Sequence, residues 1–70
     1  MMPLCFADIG TPQIIKKVGG RPETKQHLED LGFHAGGEVS IVSSLGGNLI
    51  VKVKDSRVAV SEELARKIMV

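Results

Sequence analysis

The stretch HLEDLGFHAGGEV, residues 27–39, gathers both histidines of the chain with three carboxylates and three glycines. Imidazole nitrogens and carboxylate oxygens are ligands for divalent transition metals. Metal coordination is therefore the first chemistry to weigh here. On a helix, His27 shares a face with Glu23 at i−4 and Asp30 at i+3. His34 and Glu38 lie beyond that helix, in the turn that leads to a strand. No CxxC, HxxxH or HExxH spacing accompanies them, and a helix surface rich in Glu, Lys, His and Asp is ordinarily just solvated. His34 and Glu38 are thus weak candidates for a site of Fe, Mn or Zn, with His27 and Asp30 as a second pair. No cofactor is required by this reading.

Other chemistries have less support. No G-x-S-x-G occurs, and no serine carries a paired base signature. Cys5 is the only cysteine, and a lone cysteine in a small domain usually packs as a small apolar residue. We expect no catalytic residues and no enzyme activity. Gly19-Gly20-Arg21-Pro22 leads into a helix N-terminus and resembles an anion cradle, but the G-x-x-x-x-G-K-[ST] spacing is missing. A loop that needs positive φ explains it more simply. Lys16, Lys17, Arg21 and Lys25 could form a modest basic patch, interleaved with Glu23, Glu29 and Asp30.

The totals set the frame. Seventy residues make one domain, 1–70, with 43% hydrophobic and 24% charged residues, an ordinary globular balance. A net charge of +1 argues against nucleic-acid binding through a strong basic field. The lack of Trp and Tyr removes the aromatic platforms that stack bases. No intramolecular disulfide is possible, and no apolar run approaches the ~20 residues that cross a bilayer. The segment MMPLCFADIG lacks the basic start and apolar length of a signal peptide. The expectation is a soluble cytoplasmic chain that does not insert into membranes, with a core of Val, Ile, Leu and Ala.

Short strands dominate the elements that must position these side chains. QIIKKV (13–18) reads as one strand, ended by Gly19-Gly20. EVSIVSS (38–44) and LIVKVK (49–54) alternate apolar and polar residues, and Leu45-Gly46-Gly47-Asn48 between them is a hairpin signal. Asp55-Ser56 predicts a turn, and RVAV (57–60) a third strand of the meander. One helix is predicted over 22–31, with Pro22 at its first position, Leu28 and Leu31 on its inner face and Gly32 just past its end. A second spans 62–67, capped by Ser61 and with Leu64, Ala65 and Ile68 inward, before a last short strand at Met69-Val70. A helical turn around Phe6–Ile9 is possible. The sum is a mainly β domain with short helices, closed or nearly closed into a small barrel.

Phe33 follows the predicted cap directly, where a polar residue would be ordinary. It either folds back on its helix as a Schellman contact or joins Leu31 or Ile50 in an exposed apolar patch of the kind that marks an interface.

The order of elements also resembles a known family. Pro3-Leu4, then IIKKVGG (14–20), then Leu31-Gly32-Phe33-His34-Ala35-Gly36-Gly37-Glu38-Val39, then Val58-Ala59-Val60 and Ala65-Arg66-Lys67-Ile68-Met69-Val70 follow the layout of FeoA proteins across the chain. The resemblance implies a small SH3-like β-barrel. It also implies an accessory or regulatory role in bacterial ferrous iron uptake, beside the cytoplasmic GTPase region of the membrane transporter FeoB. A related domain ends some iron- or manganese-dependent repressors, so a stand-alone metal-binding or sensing domain is the alternative. A 70-residue chain has no room for a DNA-binding half, which favours the transporter partner. The partner surface would lie around the first helix and the turn after it, at Lys25, Leu31, Phe33, His34 and Gly36. Weak homo-oligomerisation is compatible with this picture. Two positions depart from the family pattern: Ala35 replaces the usual Pro in the turn, and His27 replaces a frequent Arg, leaving Lys25 as an imperfect substitute.

Overall fold

A computed structural model describes all 70 residues. Nine short elements follow one another: a 3-10 turn at Leu4–Phe6, β1 (Gln13–Ile14), β2 (Lys17–Val18), α1 (Pro22–Asp30), β3 (Glu38–Leu45), β4 (Asn48–Val53), β5 (Ser56–Ser61), α2 (Glu62–Ala65) and β6 (Ile68–Met69). The strands form two antiparallel sheets, β1-β3-β4-β5 and β2-β6. The hydrogen-bond ladders thus do not run round one closed ring.

The run read as one strand over 13–18 is two. Ile14 pairs with Glu38 in the larger sheet, and Lys17 pairs with Met69 in the smaller one. Between them the backbone changes partners: the Ile15 N–H donates to Gly37 O at 2.8 Å, and the Lys16 N–H to Met69 O at 2.7 Å. Passing from sheet to sheet breaks the two-residue alternation, so Ile15 and Val18, three apart, both point into the core. The chain turns a corner where a longer strand would have left one sheet bare.

The meander lies one residue from its expected edges. Gly46-Gly47 form the two-residue link between β3 and β4, both with positive φ as a type I′ turn requires. The second link is Lys54-Asp55, with Val53 paired to Ser56 across it. The β3 register slips between Ile41 and Ser43. This bulge ends the inward alternation of Val39 and Ile41 and leaves Val42 partly exposed. The second helix stops at Ala65, because Ile68 pairs with Val18 and the Lys67 carbonyl accepts from the Gly19 N–H. Ser61 caps it as expected, its Oγ accepting from the Leu64 N–H at 3.2 Å. At the N-terminus the helical turn sits at Leu4–Phe6, earlier than expected, and Ile9 instead bridges to Ile41.

Fourteen residues are buried, and all are apolar. They form one cluster from both sheets and both helices, including Leu28, Val39, Val51, Ala65 and Ile68. Phe33 is the largest side chain among those fully buried, so the core is not aliphatic alone. Phe6 stays 67% exposed.

Candidate partner-docking surface

The segment that joins α1 to β3 is built from two turns in succession. α1 ends in a Schellman motif: the Gly32 N–H donates to Glu29 O and the Phe33 N–H to Leu28 O, both at 3.0 Å. Gly32 takes φ of 108°, the left-handed geometry the motif demands. The hydrophobic member of the motif, Phe33, folds back over Leu28 and is fully buried. The expectation that Phe33 contacts a partner is therefore incorrect. Its ring has no accessible surface, because burying an aromatic beneath the helix end removes far more apolar area from water than a surface position allows.

The second turn runs from His34 to Gly37, with the Gly37 N–H donating to His34 O at 2.9 Å. Gly36 has φ of 89° at its third position, which makes this a type II turn. Its first central position, where proline is favoured, is Ala35. The Gly36 N–H donates to Ile15 O at 2.7 Å, so the turn is tied to the corner of the barrel. Gly36 is thus a structural position in the turn, and what reaches solvent around it is His34 and Ala35.

A groove opens on each side of this double turn. The larger is an open cleft of about 430 Å³ lined by Gly32, His34, Gly37 and Glu38, with Ser40 and Lys52 on the adjoining strands. The smaller, about 220 Å³, lies between α1 and β2 and is lined by Lys16, Lys17, Lys25, Glu29, Val18 and Ala35. The fold therefore sorts the expected site residues. His34 and Glu38 come together in the first groove. Lys25 belongs to the second, with Lys16 and Lys17 from the corner and start of β2. Leu31 lines neither groove and is half-buried against the core.

Of the basic patch expected from Lys16, Lys17, Arg21 and Lys25, three lysines line the second groove and Arg21 does not. They meet because β2 leaves the first sheet and packs beside α1. No carboxylate lies within salt-bridge distance of these lysines, since Arg66–Glu62 at 3.0 Å is the one ion pair of the chain. The remaining lining is legible only in part: Lys52 and Ser40 face each other across the β3–β4 ladder on its outer side.

As a metal centre the first cleft is incomplete. His34 and Glu38 supply two ligands, and nowhere do three or more His, Cys, Asp or Glu side chains converge. A closed structural site for zinc takes four ligands, and a catalytic one three. His27 and Asp30 do no better, since Asp30 accepts from Gln26 Nε2 at 2.9 Å along the exposed helix face. Cys5 is half-buried against the core.

Comparison with known proteins supplies the remaining constraint. The family model described as the FeoA domain matches residues 2–70. A protein of Methanocaldococcus jannaschii bearing the provisional name Fe(2+) transport protein A is 34% identical over 70 residues, covering 100% of this chain and 85% of that one. Among solved structures, an iron uptake regulatory protein, FeoA, superposes with a TM-score of 0.87 at 24% identity, covering 96% of this chain and 91% of that one. The zinc complex of Stenotrophomonas maltophilia FeoA, described as a prokaryotic SH3 domain protein, superposes with a TM-score of 0.86 at 25% identity, covering 99% and 88%. The mainly β architecture is thus a small SH3-like fold.

Proposed function

The chain belongs to the FeoA domain family, and we propose that it serves ferrous iron uptake as a non-catalytic accessory protein that docks on the cytoplasmic GTPase region of the Fe(II) transporter FeoB. The observation that carries this reading is the match along residues 2–70, together with a full-length relative named for Fe(2+) transport. The docking surface is the double turn after α1 with its two flanking grooves. Lys25 contributes charge from one groove and His34 a hydrogen-bonding ring from the other. Leu31, half-exposed just past α1, adds apolar surface. Phe33 acts from beneath as the anchor that fixes the turn, and Gly36 as the residue that shapes it. Such a surface is small and polar, which fits a regulatory encounter rather than a permanent complex. The protein works in the cytoplasm, where that region of the transporter is found.

The test is a pull-down with the FeoB cytoplasmic region of the same organism, with and without guanine nucleotide. Association is expected, weakened by Lys25→Glu. The reading fails if nothing associates under either condition.

A second reading has one observation in its favour. His34 and Glu38 line the same cleft, and a FeoA neighbour was crystallised with zinc. On this reading the cleft gives Fe(II), Mn(II) or Zn(II) two protein ligands and leaves the others to water or a docked partner. Isothermal titration with each metal decides it: affinity unchanged by His34→Ala removes His34 from any site.

A further inference from the structure

The strand β5 ends the larger sheet with a free edge. In the hairpin of β4 and β5 the two-residue link Lys54-Asp55 makes Val53 and Ser56 the hydrogen-bonded pair that closes the turn. Even-numbered residues of β5 then aim their backbone groups at β4. The Glu62 N–H continues this parity, donating to Gly47 O at 2.9 Å. Arg57 and Ala59 therefore turn their N–H and C=O groups outward, as Ser61 does its N–H, while the Ser61 carbonyl, as the N-cap, accepts the first bond of α2. No turn or loop bond reaches these outward groups. The edge carries no proline and no bulge, two of the devices that keep such edges from pairing. Val58 faces the core side, opposite the fully buried Val51, yet is itself only half-buried. A neighbouring strand is what its exposed side lacks.

We propose that this edge pairs with the β5 strand of a second copy of the chain, antiparallel about a two-fold axis at Ala59. The register follows from the outward groups. Centring on Ala59 places Ala59 against itself and Arg57 against Ser61 of the other copy, so the outward groups of Arg57 and Ala59 and the Ser61 N–H all find partners, the Arg57 N–H using the second lone pair of the Ser61 carbonyl. Shifts by two residues, to either side, leave some of them unpaired. The same register sets Val58 against Val60 of the other copy on the inner face, covering the exposed part of Val58. It keeps the two Arg57 side chains apart, and the residue that meets itself is small and neutral. The larger sheet becomes continuous across both copies, and the grooves beside α1 stay clear of the pairing. The interface is a single strand pair, so association is weak and concentration-dependent. This inference is independent of the transporter docking above.

Analytical ultracentrifugation from about 10 µM to about 1 mM tests it, in the range where weak pairings populate. The average mass is expected to rise toward the dimer, and the Arg57 and Ala59 amides to exchange more slowly as concentration rises. A chain that stays monomeric throughout overturns the proposal. Position 59 is exposed, so charged substitutions there leave the fold intact, which circular dichroism verifies. Ala59→Glu alone and Ala59→Lys alone are expected to be monomeric, since like charges meet at the axis. Mixed in equal amounts they are expected to dimerise. Dimers that persist in Ala59→Glu alone, or a mixture that stays monomeric, contradict the register.

Discussion

Phe33 decides how the candidate surface is understood. Its position just after a helix cap is readable from the residues, and so is its part in a Schellman contact. What the residues do not contain is the depth of the space beneath the helix end. That space belongs to one core cluster, to which α1, β3 and β4 contribute Leu28, Val39 and Val53 among others. Replacing the ring by a methyl group leaves a cavity, so Phe33→Ala should cost about 3–5 kcal/mol in urea unfolding. His34→Ala, on the exposed turn, should change stability by less than ~0.5 kcal/mol. Only the second variant is thus a clean probe of binding. Gly32 is constrained differently. A Cβ there would meet Val53 methyl groups at 3.6 Å, an ordinary contact. Gly32→Ala should therefore cost only about 1–2 kcal/mol, from the left-handed backbone and not from a clash.

At the scale of elements, the turns carry the most information in the residues and the corners the least. Gly46-Gly47, Ser61 and Gly32 mark a hairpin, a helix start and a helix end where local chemistry asks for them, and these features appear as expected. The run 13–18 misleads because its β-branched residues are all compatible with strand. The change of partner at Ile15 is set by β6, some fifty residues away in the chain. The basic patch of Lys16, Lys17 and Lys25 is legible in the residues, but the groove that it lines is not, since the corner shapes it. The type II turn of His34–Gly37 offers an element-scale test. Ala35 sits where proline is favoured, and its N–H donates to no backbone carbonyl outside the regular elements. Ala35→Pro should stabilise the protein by about 0.4–1 kcal/mol, chiefly by restricting the unfolded chain, with the thermal midpoint as the readout. The β4–β5 link offers another. Lys54 holds φ of 54°, a conformation that favours glycine. Lys54→Gly should raise the midpoint slightly, and a fall would mean that the lysine side chain holds the turn by a contact of its own.

The molecule as a whole is an apolar core inside a nearly neutral surface, with no helix long and apolar enough to cross a membrane. The docking surface we propose is therefore a local feature, the double turn between two grooves. Its charge is uneven: one groove gathers three lysines against Glu29, the other mixes Lys52 and Lys54 with Glu38 and His34. Docking through the lysine groove should weaken as salt rises, because exposed charges are screened beyond ~8 Å at physiological ionic strength. The most direct measurement is a titration of the isotope-labelled chain with the FeoB cytoplasmic region, followed by amide chemical shifts. Lys17, Lys25, Leu31 and His34 are expected to shift together, while the Ala59 edge stays unmoved. Binding that shifts only the β5 edge, or no shift at all with or without nucleotide, would contradict this docking.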